Sequence, residues 1–312
     1  MSDDERAMNY GKEQVAVYRT YAEPLEGVRT IPESAFDGRE NVLFGAEVRM
    51  QVEGESFLPS FSEADNSMVI ATDSMKNFIL HQAGEYDGAT LEGFLEFVGS
   101  RFLDTYDHVE AVELSATELP FDPRPVPTDD GFEPSELVYR VSENESGYGE
   151  VRLDRGDDRI AEGRSGMTDL QLVKVRGSSF TDFVQDEYTS LPEREDRTLY
   201  IGLDIYWSYE DPTDALGADP EEYVPAEQVR DIAHVLFEET YSNSIQDLIY
   251  RIGERILERY PQLAEVEFEA QNRTWLEVGD DHEGDAAVLR EPPRPTGFQQ
   301  FSMDRSDLEG SA

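Results

Sequence analysis

The 312-residue sequence contains no cysteine, which excludes disulfides, thiolate metal sites and cysteine nucleophiles, and makes the cytoplasm the default compartment. Histidine is scarce. The four present (His81, His108, His234 and His282) do not fall at metal-ligand spacing, so a structural zinc site is not expected. Long apolar runs are missing too, and the N-terminal stretch MSDDERAMNY has no apolar signal-like segment, so the expectation is a soluble, unexported protein. Positive charge is also in short supply. Against 69 acidic residues stand 26 basic ones, of which only Lys12, Lys76 and Lys174 are lysines, giving a formal net charge of -43. Nucleic acid and anionic membranes are therefore poor partners.

What is present is a foldable chain with an acidic surface. The 38% hydrophobic content can build a core despite the charge, and the carboxylates are spread along the chain instead of blocked into a tail. That distribution reads as a salt-adapted surface.

Residues 62 to 79, SEADNSMVIATDSMKNFI, stand out. Met68 to Ala71 form a short apolar run that reads as a buried strand, and Thr72, Asp73 and Ser74 are helix-capping types at the start of a helix. The first N–H groups of such a helix have no intrahelical partner and suit an anionic, oxygen-rich ligand. The plainer alternative is an ordinary capped turn.

Elsewhere, alternation predicts strands over 13–19, 43–53, 108–117, 137–142, 149–153, 167–175 and 199–209. Helical spacing predicts helices over 90–106 and 179–188, and a long helical stretch from Pro225 to Tyr260. The proline-rich segment LPFDPRPVPTDDGFEPSE reads as an exposed excursion. GSRFLDTYDHVEAVELSA (99–116) aligns without a gap on GERILERYPQLAEVEFEA (253–270), with identities at Gly99/Gly253, Arg101/Arg255, Leu103/Leu257, Tyr106/Tyr260, Val112/Val266 and Ala116/Ala270. Shared polar and glycine positions point to two homologous halves, 9–155 and 156–303, each an α+β unit with helices on one face of an antiparallel sheet. Exposed sheet edges at both ends would be closed by other subunits into a barrel.

YGKEQVAVYR (10–19), ADNSMVIATDSMKN (64–77), SSFTDFVQDEYTSL (178–191), Asp196-Arg197, SIQ (244–246), AQN (270–272) and RPTGFQQF (294–301) together resemble the urate oxidase family, in its order and near its spacing. The resemblance implies two tandem tunnelling-fold domains, a homotetramer enclosing a tunnel, and oxidation of urate by dioxygen to 5-hydroxyisourate and hydrogen peroxide with no cofactor and no metal. It implies sites at subunit interfaces, with Lys12, Thr72 and Asp73 from one subunit and Phe180, Arg197, Ile245, Gln246 and Asn272 from its neighbour. Arg197 and Gln246 would make paired hydrogen bonds to the planar anion, and Phe180 would stack on it. Lys12, near the Thr72 hydroxyl, would accept a urate proton, and Asn272 with Thr72 would hold dioxygen or water above the ring. The sequence departs from the family where a relay histidine is expected two residues after the asparagine, since Arg273 and Thr274 follow Asn272. Lys76 and Lys174 read as scaffold or surface, and Leu191 as either a cap on the substrate plane or packing. Two other readings remain beside the oxidase: a pterin-handling enzyme of the same fold, and a purine-binding protein whose catalysis has decayed.

Overall fold

The computed structural model of the chain describes residues 8–129, 131–142, 144–156, 160–273, 275–278, 288–291 and 296–308. By packing, the chain divides into one unit comprising Met1–Thr30, Asp37–Gly166 and Ser208–Val224, and a second comprising Ile31–Phe36, Met167–Trp207 and Pro225–Ala312.

In the first unit, β1 (Asn9–Thr20), β2 (Leu43–Glu53), β3 (Ala111–Glu118) and β4 (Ser146–Asp154) form consecutive antiparallel pairs. Alternation explains the buried face: Val15 lies opposite Val48, Val52 opposite Val112, and Leu114 opposite Val151. Helices α1 (Thr72–Ala83) and α2 (Leu91–Thr105) supply Met75, Ile79, Phe94, Val98 and Phe102 to that core. The Thr90 side chain caps α2 by accepting from Gly93 N at 3.2 Å.

Strand β5 (Ile160–Lys174) carries the chain into the second unit. There β5, β6 (Leu199–Tyr209), β7 (Leu263–Arg273) and β8 (Gly297–Asp304) lie side by side in that order, with α3 (Ala226–Glu239) and α4 (Ile245–Arg259). The repeat seen in the sequence extends to the helix ends. Ser244 caps α4 as Thr90 caps α2, and both helices stop on a tyrosine, Tyr106 with φ -121° and Tyr260 with φ -122°. Gly99 and Gly253 are required by packing: a Cβ would fall 2.4 Å from Leu153 Cδ1 in the first case and 2.4 Å from Met303 Sδ in the second.

Four expectations are corrected. Residues 68–71 are not a strand: Val69 N bonds Asn66 O in a turn, Ile70 N donates to the Tyr10 hydroxyl at 2.8 Å, and Met68 is exposed, so no ladder forms. No helix spans 179–188, because Asp186 and Thr189 hydrogen-bond their own local backbone and Asp182 sits at φ +58°. The stretch from Pro225 to Tyr260 is two helices, separated at Thr240–Ser244 by a C-cap and a new N-cap. The proline-rich excursion is exposed as expected, yet it is a β-hairpin of Phe121–Thr128 with Gly131–Val141. A two-stranded ribbon tolerates prolines where a central strand would not. No helix among the described residues is long and apolar enough to cross a membrane.

Candidate functional site

The first unit brings Lys12 and Thr72 to one groove of about 470 Å³, lined also by Tyr10, Gln14, Arg49 and Met50. Lys12 reaches it through a β-bulge. Pairing runs from Lys12 opposite Met50 to Val15 opposite Val48, so β1 holds one residue more than β2 at this point, and Gln14 absorbs the kink at φ +58°. Among the described residues the Lys12 ammonium has no ion-pair or hydrogen-bond partner.

Helix α1 begins at Thr72 with Ala71 as its N-cap and no side-chain cap, so none of the three expected capping residues serves that role. Its first bonds run from Ser74 N and Met75 N to Ala71 O, which leaves the Thr72 and Asp73 amides without intrahelical acceptors. The Asp73 carboxylate is occupied by Lys76 at 2.6 Å and Asn77 at 3.1 Å. The hydrogen bond and charge of Lys76 hold its pKa below the usual range, with a smaller contribution from the charge of Lys12. Asp73 therefore offers a ligand its N–H, with its negative charge turned into its own helix.

The second unit holds the other group. Phe180 and Arg194 exchange backbone hydrogen bonds at 2.9 and 3.1 Å, and Arg197 N donates to Ser178 O at 2.8 Å. This lacing sets the Arg197 guanidinium 5.3 Å from the centroid of the Phe180 ring, whose plane stacks on Phe183 at 4.7 Å. Arg197 Nε is buried with no partner, and burial lowers the guanidinium pKa. In a chain of net charge -43, this cation faces no carboxylate among the described residues. Ile245 and Gln246 open α4, Ile245 buried and Gln246 exposed. Asn272 lies near the end of β7 opposite Gly297, with its Oδ1 buried and unsatisfied.

Among the other polar atoms in this condition are two, unremarked in the sequence, that lie inside stretches that carried the family resemblance: Gln299 Oε1 on β8 and Ser178 Oγ, both buried without partners. Buried polar atoms are rarely left unsatisfied, and such atoms mark places where a ligand or water completes the bonding. Arg273 is accounted for by the Tyr200 hydroxyl at 3.2 Å and Glu291 at 3.6 Å, while Thr274 and His282 lie outside the described residues. Leu191 is exposed. No group of three or more His, Asp or Glu side chains among the described residues is arranged to hold a metal ion.

The two groups offer complementary chemistry. One provides an uncommitted ammonium, a hydroxyl and two free helix N–H groups; the other an unpaired guanidinium beside an aromatic ring, with amides close in sequence to helix and strand ends. Both suit a flat, oxygen-edged anion.

The Uricase family model matches residues 8–150 and 163–300. A uricase of Halalkalicoccus jeotgali is 74% identical over 97% of this chain and 99% of its own length, and one of Haloferax volcanii is 75% identical over the same shares. Among solved structures, a uricase from Bacillus fastidious superposes with a TM-score of 0.94 at 51% identity, covering 98% of this chain and 96% of that one.

Proposed function

The chain belongs to the uricase family, with its tunnelling fold in a salt-adapted form, and is an enzyme of urate oxidation; from that premise we propose that the two residue groups are the two walls of one urate site. In this reading a cytoplasmic homotetramer joins Lys12, Thr72 and Asp73 of one subunit to Phe180, Arg197, Ile245, Gln246 and Asn272 of another. Residues 9–155 and 156–303 are its two homologous domains, a division supported by the matched caps of α2 and α4.

The observation that carries the assignment is the Arg197 guanidinium, half-buried, unpaired and set against Phe180 in a strongly acidic protein. Leaving such a group unpaired is costly unless an anion completes it. Urate supplies that anion as a plane: Arg197 and Gln246 bind one edge by paired hydrogen bonds, Phe180 and Ile245 pack against the ring, and the Thr72 and Asp73 N–H groups take the opposite edge.

Overall, urate, dioxygen and water give 5-hydroxyisourate and hydrogen peroxide, the substrate itself supplying the two electrons. Lys12, acting as the amine in the groove it shares with Thr72, takes a proton from urate and, as the ammonium so formed, passes it through the Thr72 hydroxyl and water towards the reduced oxygen. Asn272 holds the oxygen species over the ring. With arginine and threonine after Asn272, the histidine of the family's relay has no counterpart at that position.

The test is loss of urate absorbance with peroxide detection in molar salt and no added cofactor, for the wild type beside Lys12→Ala, with sedimentation of both. Turnover by a wild-type tetramer and a fall of at least about 100-fold in the variant, as for loss of an acid–base group, is the expected result. Full activity in the variant, or in a monomer, would overturn the relay or the shared site respectively.

A further inference from the structure

Lys174 ends β5 and spends its ammonium on the last carbonyls of a helix. Its Nζ donates to Phe237 O at 2.7 Å and to Thr240 O at 2.5 Å, and lies 5.5 Å from the Phe237 ring centroid. Those carbonyls are the unsatisfied, partly negative end of α3, where a compact cation with several donors fits best. That requirement gives a reason for lysine at this position, since nearly every other basic residue in the chain is arginine. The backbone passes tightly over its stem: Gly177 adopts φ +83°, and a Cβ there would lie 3.3 Å from Lys174 Cε.

Two paths lead outward from the turn that Lys174 holds. Along the chain, Thr240 is followed within four residues by Ser244, the cap of α4, whose first two residues are Ile245 and Gln246. Across the chain, Ser242 N donates to Gly177 O at 3.1 Å, Ser179 N donates to Ser242 O at 2.9 Å, and Arg197 N donates to Ser178 O at 2.8 Å. The Tyr241 hydroxyl adds a bond to Glu195 O, and Gly177 N donates to Asp196 Oδ1 at 2.7 Å. The segments bearing Phe180 and Arg197 are thus tied to the same five-residue turn that delivers Gln246.

We propose that Lys174 is a positioning residue for urate: by holding the end of α3 it fixes the 240–244 turn, and the turn sets the spacing between Arg197 and Gln246. This rests on the assignment of those two residues to the urate site. A paired set of hydrogen bonds tolerates little error in spacing, so loosening the turn weakens substrate capture while leaving Lys12 and Thr72, which no bond in this network touches, to do their chemistry unchanged.

The test compares Lys174→Met, Tyr241→Phe and Arg197→Lys with the wild type in molar salt. It reads Tm, assembly, kcat, KM, and equilibrium binding of urate itself under anaerobic conditions. The expected result for Lys174→Met is a KM and an anaerobic Kd at least tenfold higher, with kcat at saturating urate within twofold and assembly retained. Tyr241→Phe, which removes one exposed tie and keeps the fold, raises KM about threefold; if Lys174→Met does not fold, this variant decides. A folded Lys174→Met with unchanged KM, a loss confined to Tm or kcat, or an unchanged KM in Tyr241→Phe where that variant decides, would overturn the proposal. Arg197→Lys separates the two levels of the argument: unchanged urate binding there removes the site assignment itself, whereas weakened binding there with none in Lys174→Met removes only the positioning role.

Discussion

Glu92 and Gln246 occupy the same step of the two repeated helices, each the second residue after its capping Thr90 or Ser244, yet Gln246 is exposed and Glu92 is 3% exposed. In the first repeat the protein fills its own position. Ser165 Oγ donates to one carboxyl oxygen of Glu92 at 2.5 Å, and the Tyr223 hydroxyl lies 3.5 Å from the other. Arg39 and Glu118, paired at 2.7 Å, contribute opposing charges close by. Where the second repeat keeps an open amide, the first has an occupied carboxyl.

That burial pushes the Glu92 pKa up to about 7 from an ordinary 4.5. Between those values the native state holds a proton that the unfolded chain has released, so the Glu92 contribution to stability falls as pH rises through the window. The full difference is on the order of 3 kcal/mol. Glu92→Gln removes the titration while keeping an acceptor for Ser165. The variant should be no more stable than wild type near pH 4 and should exceed it above pH 7, as read from denaturant midpoints at fixed molar salt. Parallel pH curves for the two proteins would contradict this account.

The glycines shared by the repeats give a second prediction. Alanine normally stabilises a helix interior by up to about 1 kcal/mol over glycine. At Gly99 a methyl group would meet Leu153 Cδ1 at 2.4 Å and Leu114 Cδ1 at 2.9 Å, both side chains fully buried. Gly99→Ala should therefore lose about 1–3 kcal/mol, the usual cost of overpacking. Gly253→Ala should lose less, because its one severe contact is with the flexible Met303 thioether, the buried Phe268 ring standing off at 3.0 Å. Thermal unfolding of both variants checks the order as well as the sign.

These glycines also show what was legible in the sequence. Period-two alternation located β2 and β6 to the residue, and a gapless alignment located the last turns of both repeated helices and their tyrosine ends but not the start of the second, because burial on one face imposes those patterns while the break at 240–244 does not disturb them. Phe180, Arg197 and Asn272 stood out as candidate site residues only through a family resemblance, since each by itself looks like scaffold. The failures came where local bonding competes with periodicity. Asp186 and Thr189 hold their own backbone in a turn that an apolar spacing of Phe180 and Phe183 disguised as a helix, and Met68 to Ile70 had the composition of a buried strand with no neighbour to pair. The Lys174 contacts depend on partners more than 60 residues away, and the burial of Gln299 on the pairing of β8 with β7, and nothing local announces either.

Glu33 offers a contrast between buried and exposed ion pairs. Its side chain is 4% exposed and bonded by Arg255 at 2.6 Å and by Arg259 at 2.7 and 2.9 Å. The hydrogen bond from Arg259, reinforced by Arg255, lowers its pKa to about 2 from 4.5. A depressed carboxyl pKa contributes stability above the unfolded value and loses it as pH falls towards the folded one. Glu33→Gln should cost on the order of 2–3 kcal/mol at pH 7, and the deficit should vanish as pH falls to about 2. The same deficit should persist in molar salt, because a buried pair is weakly screened. Removing the exposed Lys76–Asp73 pair by Lys76→Met should have little effect on stability at any salt.

The bulge that aims Lys12 makes the final prediction. Gln14 sits at φ +58°, a left-handed conformation that glycine adopts freely and that β-branched residues resist by about 1–2 kcal/mol. Gln14→Gly should keep both fold and urate turnover, because the backbone it must adopt costs it nothing. Gln14→Val stores strain at the bulge, and the simplest relief is a shift of register between Lys12 and Val15, which would turn Lys12 away from the groove it shares with Thr72. The valine variant should therefore lose kcat by at least about tenfold while retaining anaerobic urate binding, since Arg197 and Gln246 are untouched. Equal turnover in the glycine and valine variants would mean that the bulge does not set the position of Lys12.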